Sequence, residues 1–255
     1  MGKYTLDTDF SSLNDTQTSE WILEFHNIVK DAFANRDNRS RLLGNLLIME
    51  RYTNTLCQGL AANDKKLSLG LQKAMDLLWG YLENRIVPFD FQDFANDLYT
   101  CFLAFNIGTK EDEPEEFSNK YFNGIAPKAY ENVALEWSSG LLLELISITG
   151  AHLEHEDFEQ ISEIDFYGIN KMLHLLEEAC IELTKTSLHS NSSQDFMQAM
   201  KQVHLTSLFQ QIIYHIQKDL KTAWTATPNQ FLSLRKEYEQ YTIIPKEYAT
   251  ALLEY

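Results

Sequence analysis

The chain has 255 residues, 44% of them hydrophobic, and carries 37 acidic side chains against 21 lysines and arginines, a formal charge of −16. That apolar content supports one sizeable core or two small helical subdomains, while so negative a surface repels phosphate backbones and argues against a nucleic-acid partner. No run of about 18 apolar residues suggests a membrane span, and the start MGKYTLDTDF lacks the basic and apolar regions of a secretory leader. It also has Leu6 where myristoylation needs Ser or Thr. A cytoplasmic protein with no membrane partner is the expectation.

Only 10 glycines and 5 prolines punctuate the chain, which predicts long regular elements. In chain order, Thr18 or Ser19 caps a first helix whose apolar stripe is Ile22, Phe25, Ile28, Val29, Ala32 and Phe33. Asp37 caps a second, with Leu42, Leu43, Leu46, Leu47 and Met49 running on to Leu56, and Gly59 helps to end it. Ser68 caps a third, carrying Leu71, Ala74, Met75, Leu78, Trp79 and Leu82. Beyond Pro88, Asp90 opens a fourth with Phe91, Phe94, Leu98, Cys101, Phe102 and Phe105.

The stretch EDEPEE, residues 111–116, is a solvated loop by composition. Pro127 suits the first turn of a long helix that includes Val133, Trp137, Leu141 and Leu145 and ends at Gly150. Met172, Leu173, Leu176, Cys180 and Leu183 mark another helix, and SNSSQ, residues 190–194, a connector. One long helix is expected to run from Phe196 through Met200, Val203, Leu208, Phe209, Ile212 and Ile216 to Leu220. A final helical piece with Phe231, Leu234, Tyr238 and Tyr241 lies between Pro228 and Pro245.

Strand signals are weak: TIIP, residues 242–245, is short, and no Asn-Gly or Asp-Gly hairpin is present. The expected fold is therefore all-α, a bundle of about seven to nine helices packed as antiparallel pairs. A single domain over 1–255 is favoured, with a subdomain boundary in the acidic linker near 106–120 as the alternative.

Three cysteines, Cys57, Cys101 and Cys180, each lie in an apolar helical stretch and read as buried free thiols. Trp79, Trp137 and Trp224 read as core or inter-helix wedges, Trp21 as partly exposed, and the tyrosines 238, 241, 248 and 255 as a terminal lid, with interface anchors as the alternative. His174, His204 and His215 flank apolar stripes and read as boundary residues with one hydrogen bond each.

No catalytic residue can be assigned. A Gly-x-Ser-x-Gly elbow, a phosphate-binding loop and a dinucleotide-binding glycine motif are all missing, and no cofactor is expected. His152 and His155 have the i, i+3 spacing of metal ligands on one helix face, with Glu156 as an oxygen donor. Against that, Gly150 ends the helix before them and no Glu-x-x-His partner motif exists. A solvated acidic loop is the plainer reading, so no metal is expected, and a metal protein or enzyme using this cluster is the alternative.

Charge distribution is the feature left to explain. Residues 1–109 hold 14 acids and 10 bases, residues 110–165 hold 14 acids and 3 bases, and residues 166–255 hold 9 acids and 8 bases. Net −11 thus falls on about one fifth of the chain, more concentrated than solubility requires. The candidate partner-binding residues are Glu111, Asp112, Glu113, Glu115 and Glu116 in one group and Glu154, Glu156, Asp157 and Glu159 in a second. Carboxylates gathered on a helical scaffold speed encounter with a basic protein and discriminate against wrong partners.

Two stretches carry a resemblance. LLIMERYTN, residues 46–54, and KAMDLLWGYLENRI, residues 73–86, resemble the YjaG-like proteins of unknown function, in which Cys-Glu-Arg-x-x-Pro-Asn precedes Leu-Asp-x-Leu-Trp. Glu50 and Arg51 match and Met49 stands in place of the cysteine, while Thr53 and Asn54 align with Pro-Asn at a spacing one residue shorter. DFYG, residues 165–168, is similar to a Leu-Tyr-Gly stretch of that group. The second stretch is also similar to an all-helical immunity family of bacterial polymorphic toxin systems, with Lys-Ala-x-Asp-x-x-x-x-Tyr-Leu matched at Ala74, Asp76, Tyr81 and Leu82. Together these cover about 40 residues and bring no catalytic residue. They imply an all-α bacterial protein and, through the second family, neutralisation of a cognate toxin.

Overall fold

The computed structural model describes residues 2–60, positions 72, 75, 76, 78–80, 82 and 83, and residues 164–183 and 193–245. Helix accounts for 77% of them and no strand occurs among them, so the fold is all-α. The helices with defined ends are α1 (Asp15–Ala32), α2 (Asn38–Leu60), α3 (Tyr167–Leu183), α4 (Ser193–His204), α5 (Ser207–Thr225) and α6 (Phe231–Tyr238). Short 3-10 turns at Phe10–Ser12 and Pro228–Gln230 precede α1 and α6, and the described positions from 72 to 82 are helical. The chain divides into two compact units, Met1–Ile48 with Asp165–Thr225 and Met49–Ile164 with Ala226–Tyr255. The linker at 106–120 and the helices expected from Asp90 and Pro127 lie outside the described residues.

The first helix starts one turn earlier than its apolar stripe suggests. Asn14, not Thr18 or Ser19, is its cap: Asn14 Oδ1 accepts from Gln17 N and Gln17 Oε1 accepts from Asn14 N, both at 3.1 Å. This reciprocal pair satisfies two donors that a helix start otherwise leaves open. Thr18 and Ser19 turn their hydroxyls back onto Asp15 O. The earlier start places Trp21 well inside the helix, where it is fully buried rather than partly exposed. Phe10 covers it edge-on at 5.2 Å, and Phe25 flanks it at 5.3 Å.

The second helix begins as expected, with Asp37 Oδ1 accepting from Ser40 N at 2.8 Å. Every residue from 40 to 57 is buried. A helix covered on all sides needs no apolar stripe, which is why polar residues are spread around it. In the first unit Leu42, Leu43, Leu46 and Leu47 join Phe25, Phe33, Phe166, Phe209, Ile212, Ile213 and Leu220, all fully buried or nearly so. Here α3 and α4 pack on each other and on α1 and α5. Gly44 sits at the tightest approach: a Cβ there would stand 3.2 Å from Phe166 and 3.4 Å from Leu220.

Residues 193–225 form two helices, not the single one expected. The break at Leu205–Thr206 is a hydrogen-bonded turn in which Thr206 N donates to Val203 O at 2.9 Å. Thr206 Oγ1 accepts from Phe209 N at 3.3 Å, so it caps the following helix. Apolar spacing alone misses this break, because Val203, Leu208 and Phe209 remain buried on either side of it. Trp224, expected in the core or as an inter-helix wedge, is 42% exposed and bridges α5 to the end of α1. It lies flat under Arg36 at 3.9 Å and donates to Ala32 O at 3.1 Å, finishing the C-terminus of α1.

In the second unit Met75, Leu78, Trp79 and Leu82 are buried, as their spacing predicts. Tyr238 is 2% exposed, Ile243 and Ile244 are fully buried, and Tyr241 lies past the end of α6. Arg51 lies over both tyrosine rings, at 5.0 and 4.7 Å. Asn54 Nδ2 donates to Tyr238 O at 2.8 Å and Tyr241 O at 3.0 Å. The lid reading thus holds for Tyr238 and Tyr241; Tyr248 and Tyr255 lie outside the described residues.

Two substitutions probe this packing. Gly44→Leu is expected to cost about 2 kcal/mol or more through overpacking, and Asn54→Ala about 2 kcal/mol by removing its two hydrogen bonds to the carbonyls of Tyr238 and Tyr241. Both are read as lower urea midpoints at unchanged slope. Wild-type midpoints would show that neither contact carries weight.

Candidate functional site

The nine candidate partner-binding carboxylates, Glu111, Asp112, Glu113, Glu115, Glu116, Glu154, Glu156, Asp157 and Glu159, lie outside the described residues, as do His152, His155 and Cys101. Polar chemistry among the described residues gathers at three other places.

The first is a groove of about 420 Å³ along α1, lined by Gly2, Lys3, Tyr4, Glu20, Glu24, Asn27, Ile28 and Asp31. Positions 20, 24, 27, 28 and 31 recur at helix spacing and so share one side of α1. The N-terminal residues lie along them. Tyr4 and Ile28, both buried, give the groove an apolar floor. Glu20 Oε2 accepts from Lys3 Nζ at 2.5 Å and from Tyr4 Oη at 2.7 Å. Lys3 Nζ also stands over the Tyr4 ring, 4.9 Å from its centre.

These hydrogen bonds push the Lys3 ammonium up to about 12 and draw the Glu20 carboxyl below its ordinary value. Further along, Glu24 accepts from Asn27 at 3.2 Å. Three carboxylates therefore line the groove against one ammonium, which makes it a cation-attracting cleft in the described part of the chain.

The second place is buried. Glu177 on α3 is 1% exposed and meets two imidazoles. Its Oε2 is 2.7 Å from His174 Nδ1, and its Oε1 bonds His204 Nε2 on α4. Burial by itself pushes the carboxyl up. The hydrogen bonds from His174 and His204, with the charge on those rings, outweigh burial and hold Glu177 below the ordinary carboxylate range. An ionised carboxylate only accepts, so both imidazoles donate to it. The His204 ring lies beside Phe209 at 5.1 Å.

One turn on, burial and the Glu177 charge push the Cys180 thiol up to about 12, so it supplies no thiolate at neutral pH. Cys57 and Cys180 are both buried free thiols. No group of three metal-ligating side chains is placed to hold an ion among the described residues. The cluster ties α3 to α4. The reading of His174 and His204 as singly bonded boundary residues missed that they share one acceptor, because residues 27 positions apart meet only through helix packing.

The third place is Glu50 in the second unit. It is 9% exposed and accepts from Trp79 Nε1 at 2.8 Å. Burial raises its carboxyl above the ordinary value, against the Trp79 bond and the Arg235 charge, while Asp76 and Glu239 push it the same way as burial. Arg235 pairs with Asp76 and stands 3.8 Å from Glu83. Two of the positions that carry the resemblance, Glu50 and Asp76, thus take part in the same electrostatic group. Arg51 and Asn54 are spent on the 238–242 segment.

Comparison with protein-family models, curated proteins and solved structures returned no match to this chain.

The two buried carboxylates respond to pH with opposite sign. Glu177 has a depressed folded value, so its stabilisation is complete above the ordinary carboxylate range and disappears as pH falls through the folded value. Glu50 has a raised folded value, so its ionisation opposes folding as pH rises through that range. Glu177→Gln is expected to lower stability at pH 7 by about 2 kcal/mol, with the gap to wild type closing towards pH 3.5. Glu50→Gln keeps an acceptor for Trp79 and is expected to leave pH 7 stability unchanged or higher. Urea unfolding across pH 3.5–7 measures both, and parallel curves for wild type and Glu177→Gln would rule out the assigned ionisation.

Proposed function

We propose that this is a non-enzymatic acidic binding protein that engages a basic protein. One observation carries the reading: net −11 on residues 110–165, where 14 acids face 3 bases. Charge of one sign concentrated in one stretch of a chain raises the association rate of an oppositely charged partner and penalises the wrong ones. The α1 groove, with three carboxylates against one ammonium, supports the same preference for cations. No helix among the described residues is long and apolar enough to cross a membrane.

The finer reading is an immunity role, in which the partner is a cognate toxin and the carboxylates cover its basic functional surface. It rests on the likeness of residues 73–82 to the immunity family. Glu111, Asp112, Glu113, Glu115 and Glu116, with Glu154, Glu156, Asp157 and Glu159, are the contact residues of this reading.

Calorimetry with a candidate toxin of net positive charge, at two salt concentrations, tests it. Affinity is expected to fall at least about tenfold between 50 and 300 mM salt, since contacts of this kind are screened. It should fall by a similar factor when Glu111, Asp112, Glu113, Glu115 and Glu116 are replaced together by their amides. Affinity indifferent to both salt and the amide substitutions would end the proposal.

A further inference from the structure

A second contact surface stands out on α1 itself. Leu23 is 78% exposed, the most exposed large apolar side chain among the described residues. Leu23 is not one of the groove-lining residues, but its i, i+3 and i, i+4 spacing to Glu20 and Asn27 makes it their neighbour on the surface of α1. From Glu20 to Asp31 the groove follows eleven residues of helix, about 16 Å at the usual rise. Its floor of Tyr4 and Ile28 is apolar and its edges are acidic.

The groove already seats one ammonium of the chain itself. Lys3 Nζ lies against Glu20 and over the Tyr4 ring, which is how a carboxylate and an aromatic face together hold a cation. Glu24 and Asp31 continue the same edge with no lysine or arginine among the groove-lining residues beside them.

We propose that this face of α1 is a docking surface for a basic segment of a partner protein, with an apolar residue of that segment packing on Leu23 and its lysines or arginines meeting Glu24 and Asp31. The inference rests on the reading above that the partner is basic, and adds a contact outside residues 110–165. A second copy of this chain is a poor occupant, because two molecules at −16 repel each other. An apolar anchor ringed by charge is the arrangement in which a few residues dominate binding, and exposed carboxylates set the choice of partner.

The test uses the full chain and a synthetic peptide of about 16 residues with lysine and leucine at helix spacing, titrated by calorimetry. A control peptide carries glutamate in place of lysine. Binding of the lysine peptide alone is expected. Affinity should fall at least about tenfold in Glu24→Gln/Asp31→Asn and at least about threefold in Leu23→Ser, magnitudes usual for anchor and charge contacts. Gln211→Lys/Gln240→Lys changes net charge by the same amount at other exposed positions and should alter affinity less than about threefold. Helicity by circular dichroism certifies each variant as folded.

Equal losses in the groove pair and the charge-matched control would mean general attraction to an acidic protein, and would overturn the docking surface. So would an affinity that ignores Leu23, Glu24 and Asp31. If the amide variant at 111–116 weakens the cognate partner while the groove variants do not, the proposed function stands and this surface falls. If groove variants alone weaken it, the surface stands and the 111–116 assignment falls.

Discussion

Helix α2 shows the constraint on which the described structure depends: a helix buried on every side must still place polar groups where buried backbone needs them. Residues 40–57 are all buried, yet they include Arg41, Asn45, Glu50, Arg51, Thr53, Asn54 and Thr55. Four of them, Arg41, Asn45, Arg51 and Asn54, donate to carbonyl oxygens of other segments, Glu50 accepts from Trp79, and the buried Thr53 hydroxyl has no hydrogen-bond partner among the described residues. Arg41 donates to Phe33 O at 2.7 Å and to Arg36 O, finishing the end of α1. Asn45 donates to Asp165 O at 3.1 Å, just before α3. Arg51 and Asn54 do the same for the 238–242 segment, and Thr55 Oγ1 accepts from Ile243 N at 3.0 Å. Helix ends leave carbonyls without partners, and burying them unpaired is costly. In each compact unit, one stretch of α2 adds side-chain donors to these carbonyls; Phe33 O and Tyr238 O also accept from the backbone N–H groups of Arg36 and Tyr241.

This arrangement explains why the polar positions of α2 are a weak guide to function. Glu50, Arg51 and Asn54 look like a motif when read along the chain. In the structure Arg51 and Asn54 hold backbone, and Glu50 receives the indole N–H of Trp79. A buried carboxylate with a raised pKa is often a catalytic sign. Here its known partner is a fully buried tryptophan, which accounts for its place by packing and hydrogen bonding. The same reasoning applies to Glu177, whose two imidazoles join α3 and α4.

Surface electrostatics points outward instead. The groove on α1 sets carboxylates on an apolar floor beside an exposed leucine. Ile28 is shared with the core side of α1, which also holds Trp21, Ile22, Phe25 and Val29, whereas Leu23, Glu24 and Asp31 lie off that side. On the function proposed above, the charge concentrated on residues 110–165 would serve attraction of a basic partner at long range, and the α1 groove would serve short-range selection. Long-range attraction governs encounter, and desolvated contacts govern lifetime.

Much of the helical order was legible in the sequence, because burial on one side of a helix imposes a spacing of three and four. The stripes on α1, α3 and α5 and the run Met75, Leu78, Trp79 and Leu82 all stood out on that account, as did Asp37 as a cap. Where hydrophobic periodicity and local hydrogen bonding compete, the stripe was not enough. Asn14 with Gln17 moved a helix start, and Thr206 split one long apolar run into two helices. Tertiary structure alone decided which histidines share Glu177, why Trp21 is covered and Trp224 is not, and how Lys3 comes to lie on Glu20. Each of these depends on residues far apart in the chain meeting through packing, and periodicity within one helix carries no information about its neighbours.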